Sequence, residues 1–529
     1  MLDSIMWLTY VPISLSLLLL AVLSLNLSVV VALHVCHRRR ALANERAVVA
    51  HPLPAECRLP RMLVQLPVFN ERHVINRLIE TAAGIDWPLD RLEIQVLDDS
   101  TDETTEIASV AVEHLQAKGV GIQLIRRTSR SGFKAGALAY GLAQSKAEFI
   151  AIFDADFRPP RDFLRRCVRP LLADPQLALV QARWDHLNAA ENLLTRAQAL
   201  QLDAHFVIEQ SARAWSGLGM PFNGTCGLWR RRAIEDAGGW HADTLTEDLD
   251  LSYRALMKGW RTTILLSEGV PGELPNDLAA WRAQQRRWNK GFAQCARKLI
   301  GPIWRSDFPW WRKLAASCHL GQCCLWPVAV VALANAFGSL LLGHEQPVAL
   351  IALGCATTGL GVGSVLAMTL LAQWHLRRGR PVAVLTSCLT LLTLNAGLTL
   401  ANAMAVAEGL LGRSSGFVRT PKRGDAGISS YRTAMPTGVP ELAFSAVGCA
   451  ALASDPKWTA PFLCISVAGS LWIGWRFGRV HLGRVVLPRL RPRSPIEQSA
   501  RAVPGPTRSV SPPRTSPLRE IGELKSGCR

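Results

Sequence analysis

The sequence predicts an α/β domain with a parallel sheet, inserted between transmembrane α-helices, on three observations. Between residues 60 and 160, strand-like apolar runs alternate with ten- to fifteen-residue helical stretches, the pattern of a parallel sheet covered by helices. Residues 5–36 and several stretches beyond residue 310 are apolar over lengths that can cross a bilayer. The apolar run 149–153 ends in Asp154-Ala155-Asp156, which places two carboxylates at the carboxyl edge of a sheet, where open α/β sheets bind ligands.

Composition narrows the class. The 529 residues are 49% hydrophobic yet 19% charged, so the apolarity is concentrated in segments. Residues 5–36 contain no Lys, Arg, Asp or Glu and are closed by His37-Arg38-Arg39-Arg40. Charges after the apolar run argue against a cleaved signal peptide, and positive-inside logic puts residues 41 onward in the cytoplasm. From residue 476 to the end there are twelve Lys/Arg against three Asp/Glu, a net of +9 out of +18. That excess follows the last apolar segment, where basic residues meet anionic headgroups, so it marks membrane lipids as partners and not nucleic acid. The thirteen cysteines form no C-x-x-C pairs and imply neither a zinc site nor a disulfide framework.

In chain order, residues 62–66 read as a strand running into Pro67-Val68-Phe69-Asn70-Glu71, followed by a helix to about Ala83. A strand over 92–97 ends in Asp98-Asp99-Ser100-Thr101-Asp102; a helix over 103–118 and a strand over 122–125 follow. Arg130-Ser131-Gly132-Phe133-Lys134 opens the next helix, before the strand that carries Asp154. Acids, a lysine and glycines therefore collect on one sheet edge, as a nucleotide site at a topological switch point requires. Two acids at i and i+2 can turn toward one hard cation, Mg²⁺ or Mn²⁺, that also accepts phosphate oxygens.

The motifs QLPVFNE (65–71), DDSTD (98–102), FKAGAL (133–138), FDAD (153–156), FNGTCGLWRR (222–231), TEDLDLSYR (246–254) and QQRRW (284–288) resemble, in order, those of family 2 of the inverting, GT-A-fold glycosyltransferases. Within it they are similar to the membrane-embedded processive branch of mannan, glucomannan and cellulose synthases. The resemblance covers about residues 60–300. It implies a metal at Asp154 and Asp156, a donor nucleotide and diphosphate held by Glu71, Asp98, Asp99, Lys134, Gln284 and Arg287, and an acceptor pocket at Asn223, Gly224, Thr225 and Trp288. Which of Asp98 and Asp99 meets the base is left open. An inverting transferase needs a carboxylate base opposite the leaving group; Glu247, Asp248 and Asp250 are all acidic, and the resemblance selects Asp248, with Glu247 beside it. Asp250 and Arg254, at i and i+4, read as a structural pair. Gln284 and Arg287 share a helical face and Trp288 can stack on a sugar, whereas Arg282, Arg286 and Lys290 read as headgroup anchors. Residues 177–180 read as a further strand, and Trp184 and His186 beyond it as either packing or the border of a sugar path.

In the second half, 314–342 and 348–373 read as two spans. Residues 382–411, with basic residues on both flanks, read as re-entrant or interfacial, and 439–454 with 458–475 as a last hairpin. Phe417-Val418-Arg419-Thr420-Pro421-Lys422 partly resembles the gating loop of cellulose-synthase-like enzymes. The expected organisation is a transmembrane helix over 1–40, a cytoplasmic GT-A domain over 41–310, transmembrane and interfacial helices over 311–476 with a cytoplasmic loop near 412–436, and a disordered basic tail over 477–529. The expected activity is polymerisation of a β-1,4-linked mannan, glucomannan or glucan from GDP-mannose or UDP-glucose at the plasma membrane, with or without translocation. Single-sugar transfer to a glycolipid acceptor, or a non-catalytic nucleotide-sugar-binding scaffold, are the alternatives.

Overall fold

The computed structural model describes residues 2–343, 347–377, 381–413, 438–454 and 461–486. Contacts gather Met1–Arg479 into one compact unit; Val480–Arg529 is a second, described only as far as Val486. The chain opens with α1 (Leu2–Ala50) and enters an α/β domain: β1 (Met62–Val68), α2 (Ile75–Ala83), β2 (Leu92–Asp98), α3 (Thr104–Ala117), β3 (Ile122–Arg126), α4 (Phe133–Ala143), β4 (Phe149–Ile152), α5 (Phe163–Ala173) and β5 (Leu177–His186). Next come α6 (Leu193–Ala204), a π-helical turn (His205–Gln210), α7 (Ser211–Trp215), β6 (Gly227–Arg230), α8 (Arg231–Asp236), α9 (Glu247–Met257), β7 (Arg261–Gly272) and α10 (Leu278–Arg305). The remaining helices are α11 (Trp310–Gly321), α12 (Leu325–Leu341), α13 (Val348–Leu376), α14 (Pro381–Gly397), α15 (Thr399–Leu410), α16 (Val439–Ser454) and α17 (Pro461–Val486).

The seven strands form one sheet in the order β3-β2-β1-β4-β6-β5-β7. Strands β1 to β4 are parallel, as the alternation predicts, and β1, β2 and β4 are buried along nearly their whole length because helices cover both faces. Met62, Val64 and Leu66 enter one core while Leu63, Ile150 and Ile152 enter the other. One polar pair interrupts the second core: Gln65 Nε2 donates to Gln95 Oε1 (3.1 Å) and Gln95 Nε2 to the Gly141 carbonyl (2.9 Å). A side chain at 141 would lie 2.5 Å from Gln95 Oε1, so glycine there seats α4 on the sheet.

The parallel pattern does not extend to β6, a strand the sequence reading did not include, which runs antiparallel to both β4 and β5. The chain reaches β6 through residues 222–226 on the edge that carries Asp154 and must run back from it; Cys226 N donates to the Ile152 carbonyl (2.8 Å). Strand β5 continues to His186 instead of ending near Val180, because β7, which the sequence does not announce, pairs with it along its length.

Helix α1 is unbroken past the expected end at residue 40. Its Glu45 accepts from Leu266 N (3.2 Å) and Ser267 N (2.8 Å), covering the open edge of β7. Among the described residues, three helical stretches are long and apolar enough to cross a membrane: Tyr10–Ala50, Trp310–Leu341 and Val348–Leu376. A fourth, Val382–Gly397 with Thr399–Leu410, is bent by 53° and is a broken span or a re-entrant loop. The last hairpin falls short: the 16 residues of α16 rise about 24 Å, against a hydrocarbon core of about 30 Å. The gating-loop resemblance, most of the 412–436 loop and the tail beyond Val486 lie outside the described residues.

Candidate active site

The carboxyl ends of β1, β2 and β4 open into one cleft, closed on the far side by the start of α9 and by α10. After β4 the chain turns, with Phe157 N bonded to the Asp154 carbonyl (3.1 Å). Asp154 is held twice: its backbone N–H donates to Thr225 Oγ1 (2.9 Å) and its Oδ1 accepts from Lys134 Nζ (2.5 Å). Lys134, at the first turn of α4, also donates to the Gly224 carbonyl (2.8 Å) and stands 4.0 Å from Glu247. Burial opposes its charge, but Asp154 and Glu247 overcome that and raise its pKa. Lys134 thus ties the acid turn, the glycine loop and α9 to one point.

Gly224 has a φ of +82°, and a Cβ there would lie 3.0 Å from Asp248 Oδ2. Only glycine allows this turn to approach that carboxylate. Asp248 is half-buried at the start of α9; burial, then the neighbouring Glu247, pushes its pKa up to about 7. Burial raises Glu247 as well. Across the cleft, α10 presents Gln284, Arg287 and Trp288. Burial lowers the pKa of Arg287, opposed by Glu247, Asp154, Asp248 and Asp156, the acids it faces.

The structure therefore brings together Glu71, Asp99, Lys134, Asp154, Asp156, Asn223, Gly224, Glu247, Asp248, Gln284, Arg287 and Trp288 along one cleft. Asp98 and Thr225 do not line it. Asp98 is 1% exposed, accepting from Ser100 N (2.9 Å) and Thr105 Oγ1 (2.6 Å), so its carboxylate shapes the loop. Asp99 faces the cleft beside Arg127 (3.0 and 2.5 Å). Thr225 is buried and acts through Asp154 N. Trp184 packs between Phe157 and Phe206, and His186 bonds Asp203 (3.1 Å), while both still border the cleft. Asp250 pairs with Arg254 (2.8 Å), as its spacing suggests.

The headgroup-anchor reading of three cations is corrected. Arg286 Nη2 (2.5 Å) and Lys290 Nζ (3.1 Å) both donate to Glu408 of α15, and Arg282 pairs with Glu441 of α16 (2.6 Å). They face carboxylates of the apolar helices. Residues not anticipated in the cleft are Arg130, whose guanidinium lies 3.4 Å over the Phe69 ring, and Glu273 just past β7. The first sits in a basic stretch with no pattern of its own, and the second follows the unannounced strand.

Asp154 and Asp156 offer the hard oxygen donors that suit Mg²⁺ or Mn²⁺. With one Asp154 oxygen on Lys134, the other would serve the ion together with Asp156. Among the described residues, a separate group with metal-type side chains close together, His241, Asp243 and Asp250, surrounds Lys298, whose Nζ is 2.8 Å from each carboxylate; a cation is already in place there.

A mixed α/β sheet whose edge gathers paired acids, a lysine and a facing arginine can hold a phosphate-bearing ligand together with a cation. Residues 60–291 match the family described as Glycosyltransferase like family 2. The chain is 46% identical over 260 residues to glucomannan 4-beta-mannosyltransferase 2 of Arabidopsis thaliana, covering 48% of this chain and 49% of that one. It is 44% identical over 260 residues to glucomannan 4-beta-mannosyltransferase 1 of Oryza sativa subsp. japonica, covering 48% and 50%. The chain spans about half the length of these relatives. Among solved structures, it is similar to the mannosyltransferase PcManGT from Pyrobaculum calidifontis in complex with GDP-Man and Mn²⁺, at 22% identity and a TM-score of 0.47, covering 74% of this chain and 99% of that one.

Proposed function

We propose that the protein is an inverting β-glycosyltransferase that builds a β-1,4-linked, mannose-containing polysaccharide from GDP-mannose, with its catalytic domain on the cytoplasmic side of the plasma membrane. The observation that carries the reading is the meeting of Asp248, Lys134 and Arg287 around the Asp154 turn. The relatives' names favour mannose over glucose as the transferred sugar.

In this reading Lys134 and Arg287 neutralise charge that grows on the leaving diphosphate. A divalent ion at Asp154 and Asp156, when bound, supplies Lewis-acid stabilisation of the same charge. The acceptor hydroxyl oxygen attacks C1 of the donor sugar, the bond from C1 to the diphosphate breaks with its electron pair leaving on the diphosphate, and Asp248 takes the hydroxyl proton. A carboxyl pushed up to about 7 is a stronger base than an ordinary aspartate. Trp288 offers the flat face against which an acceptor sugar stacks.

The test is radiolabel incorporation by the full-length protein in liposomes with Mg²⁺ or Mn²⁺, comparing GDP-mannose with UDP-glucose and sizing the product. Long insoluble polymer from GDP-mannose, abolished in Asp248→Asn, supports the proposal. A single-sugar, lipid-extractable product replaces polymerisation by transfer to a lipid acceptor. If Asp248→Asn leaves incorporation unchanged, the assignment of the base is wrong.

A further inference from the structure

Behind the glycine loop lies a polar network that the mechanism above does not use. The helical stretch over residues 193–215 is interrupted by the π turn His205–Gln210. In an α-helix, positions five apart point about 140° away from each other; the i→i+5 closure of a π turn brings them onto one side. Here it sets Gln210 Nε2 3.0 Å from His205 Nε2 and turns both toward Asn223. Asn223 Nδ2 lies 2.9 Å from His205 Nε2, and Gln210 Nε2 donates to Asn223 Oδ1 (2.9 Å).

The tautomer follows from the partners. His205 Nδ1 is 2.9 Å from Glu209 Oε2, so Nδ1 carries the hydrogen and donates it. Nε2 then accepts, its single lone pair shared between the N–H groups of the two amides. Glu209 is itself fixed: burial opposes its charge, but the bond from His205 and the Arg213 guanidinium (3.2 Å) hold its pKa well below the usual carboxylate range. With Oδ1 taken by Gln210 and one Nδ2 hydrogen by His205, the Asn223 amide keeps a second Nδ2 hydrogen, and Asn223 lines the cleft in the loop that abuts Asp248.

We infer that His205 is a positioning residue for the acceptor: accepting from Asn223 through Nε2, it fixes the orientation of that amide so that an N–H faces the incoming acceptor oxygen beside Asp248. The inference rests on the glycosyltransferase reading and adds to it the residue that orients acceptor against base. It predicts a selective defect, because the bonds of His205 run to the side chains of Glu209, Gln210 and Asn223, whereas Lys134 holds the loop through the Gly224 backbone carbonyl.

The experiment uses the full-length protein in liposomes, with radiolabelled GDP-mannose as donor and a β-1,4-linked manno-oligosaccharide as acceptor, for wild type, His205→Leu and His205→Gln. Gln retains an acceptor oxygen near the Nε2 position. The acceptor KM should rise about tenfold in His205→Leu, with donor KM and acceptor-independent donor hydrolysis within about twofold, and His205→Gln should recover most of the loss. If His205→Leu does not fold, Gln210→Met, which frees Asn223 Oδ1, should raise the acceptor KM in the same selective way. An unchanged acceptor KM would overturn the inference, as would equal losses in every parameter with a lowered melting temperature and no recovery in His205→Gln. Wild type inactive with both GDP-mannose and UDP-glucose would sink the glycosyltransferase reading, and this inference with it.

Discussion

Gly291, on α10, sits where that helix meets Thr246, the residue before the Glu247-Asp248 pair. A Cβ at 291 would lie 2.4 Å from Thr246 Cγ2 and 2.7 Å from its Oγ1, about 1 Å inside ordinary carbon–carbon separation. Thr246 cannot easily yield: it is 8% exposed, stiff at χ1 as a β-branched residue, and its Oγ1 is 3.3 Å from Cys295 Sγ one turn further along α10. Gly291→Ala must therefore push α10 and α9 apart by about 1 Å. On stability, the helical preference for alanine over glycine offsets about 0.5–1 kcal/mol of an overpacking cost of about 1–3 kcal/mol, so the protein still folds. On rate, a misplacement of about 1 Å costs on the order of 10²-fold, and kcat for radiolabel transfer should fall by that factor. Adding Thr246→Ser removes the Cγ2 methyl and should return most of it. A kcat within about threefold of wild type in Gly291→Ala, or no recovery in the double variant, would refute the claim that this contact sets the position of Asp248.

As the proposed base, Asp248 must be ionised, and its pKa is pushed up to about 7; kcat/KM should therefore fall as pH drops below about 7, and the acid limb should sit well above the ordinary aspartate value near 3.9. For stability the sign is the reverse: the contribution of this group is present below about pH 3.9 and lost as pH rises through about 7, visible as a lower melting temperature at pH 8 than at pH 6 for wild type but not for Asp248→Asn. Lys134→Met removes the 2.5 Å partner of Asp154 and leaves acids facing one another, so donor KM should rise by roughly 10-fold or more, measured by initial rates over a donor series. Glu441→Gln leaves Arg282 without the carboxylate that faces it from a 1% exposed side chain, and should lower stability in detergent by about 3 kcal/mol, read from thermal unfolding, whereas the paired change to apolar residues should not.

The acid turn, Lys134 and the α10 face were legible because they are short motifs that follow a strand, open a helix or share one helical face, whereas Asp248 was singled out from Glu247 and Asp250 only by the family resemblance. Asp98 and Thr225 were misjudged for a common reason: they belong to motifs whose neighbours line the cleft, but their own side chains satisfy backbone donors one layer behind. Sequence spacing cannot separate those layers. Strand β7 was not recognised because, as an edge strand of alternating exposure, it lacks the continuous apolar run of β4. The reversal of β6 depends on where the chain comes from, and not on its four residues. His205 carried no signal at all; its partner Gln210 is five residues on, a spacing that means nothing in an α-helix and becomes a contact only in a π turn.

The adjacent arginines of QQRRW show how far helical geometry separates neighbours. At about 100° per residue, Arg282, Arg286 and Lys290 cluster within about 80° of one another, while Gln284, Arg287, Trp288 and Gly291 fall on the opposite side of α10. The first group meets Glu441 and Glu408 of the apolar helices, the second meets the cleft and Thr246. Lipid anchoring would leave α10 free to rotate about its axis, since headgroups accept a cation from any direction. Carboxylates on two helices do not, and the close packing at Gly409, where a Cβ would lie 2.7 Å from the Lys290 carbonyl, removes the remaining slack. The rotational setting of α10, and with it the aim of Arg287 at the acids, is thus fixed by the apolar helices. Any displacement of α15 must reach Arg287 through less than one helical turn.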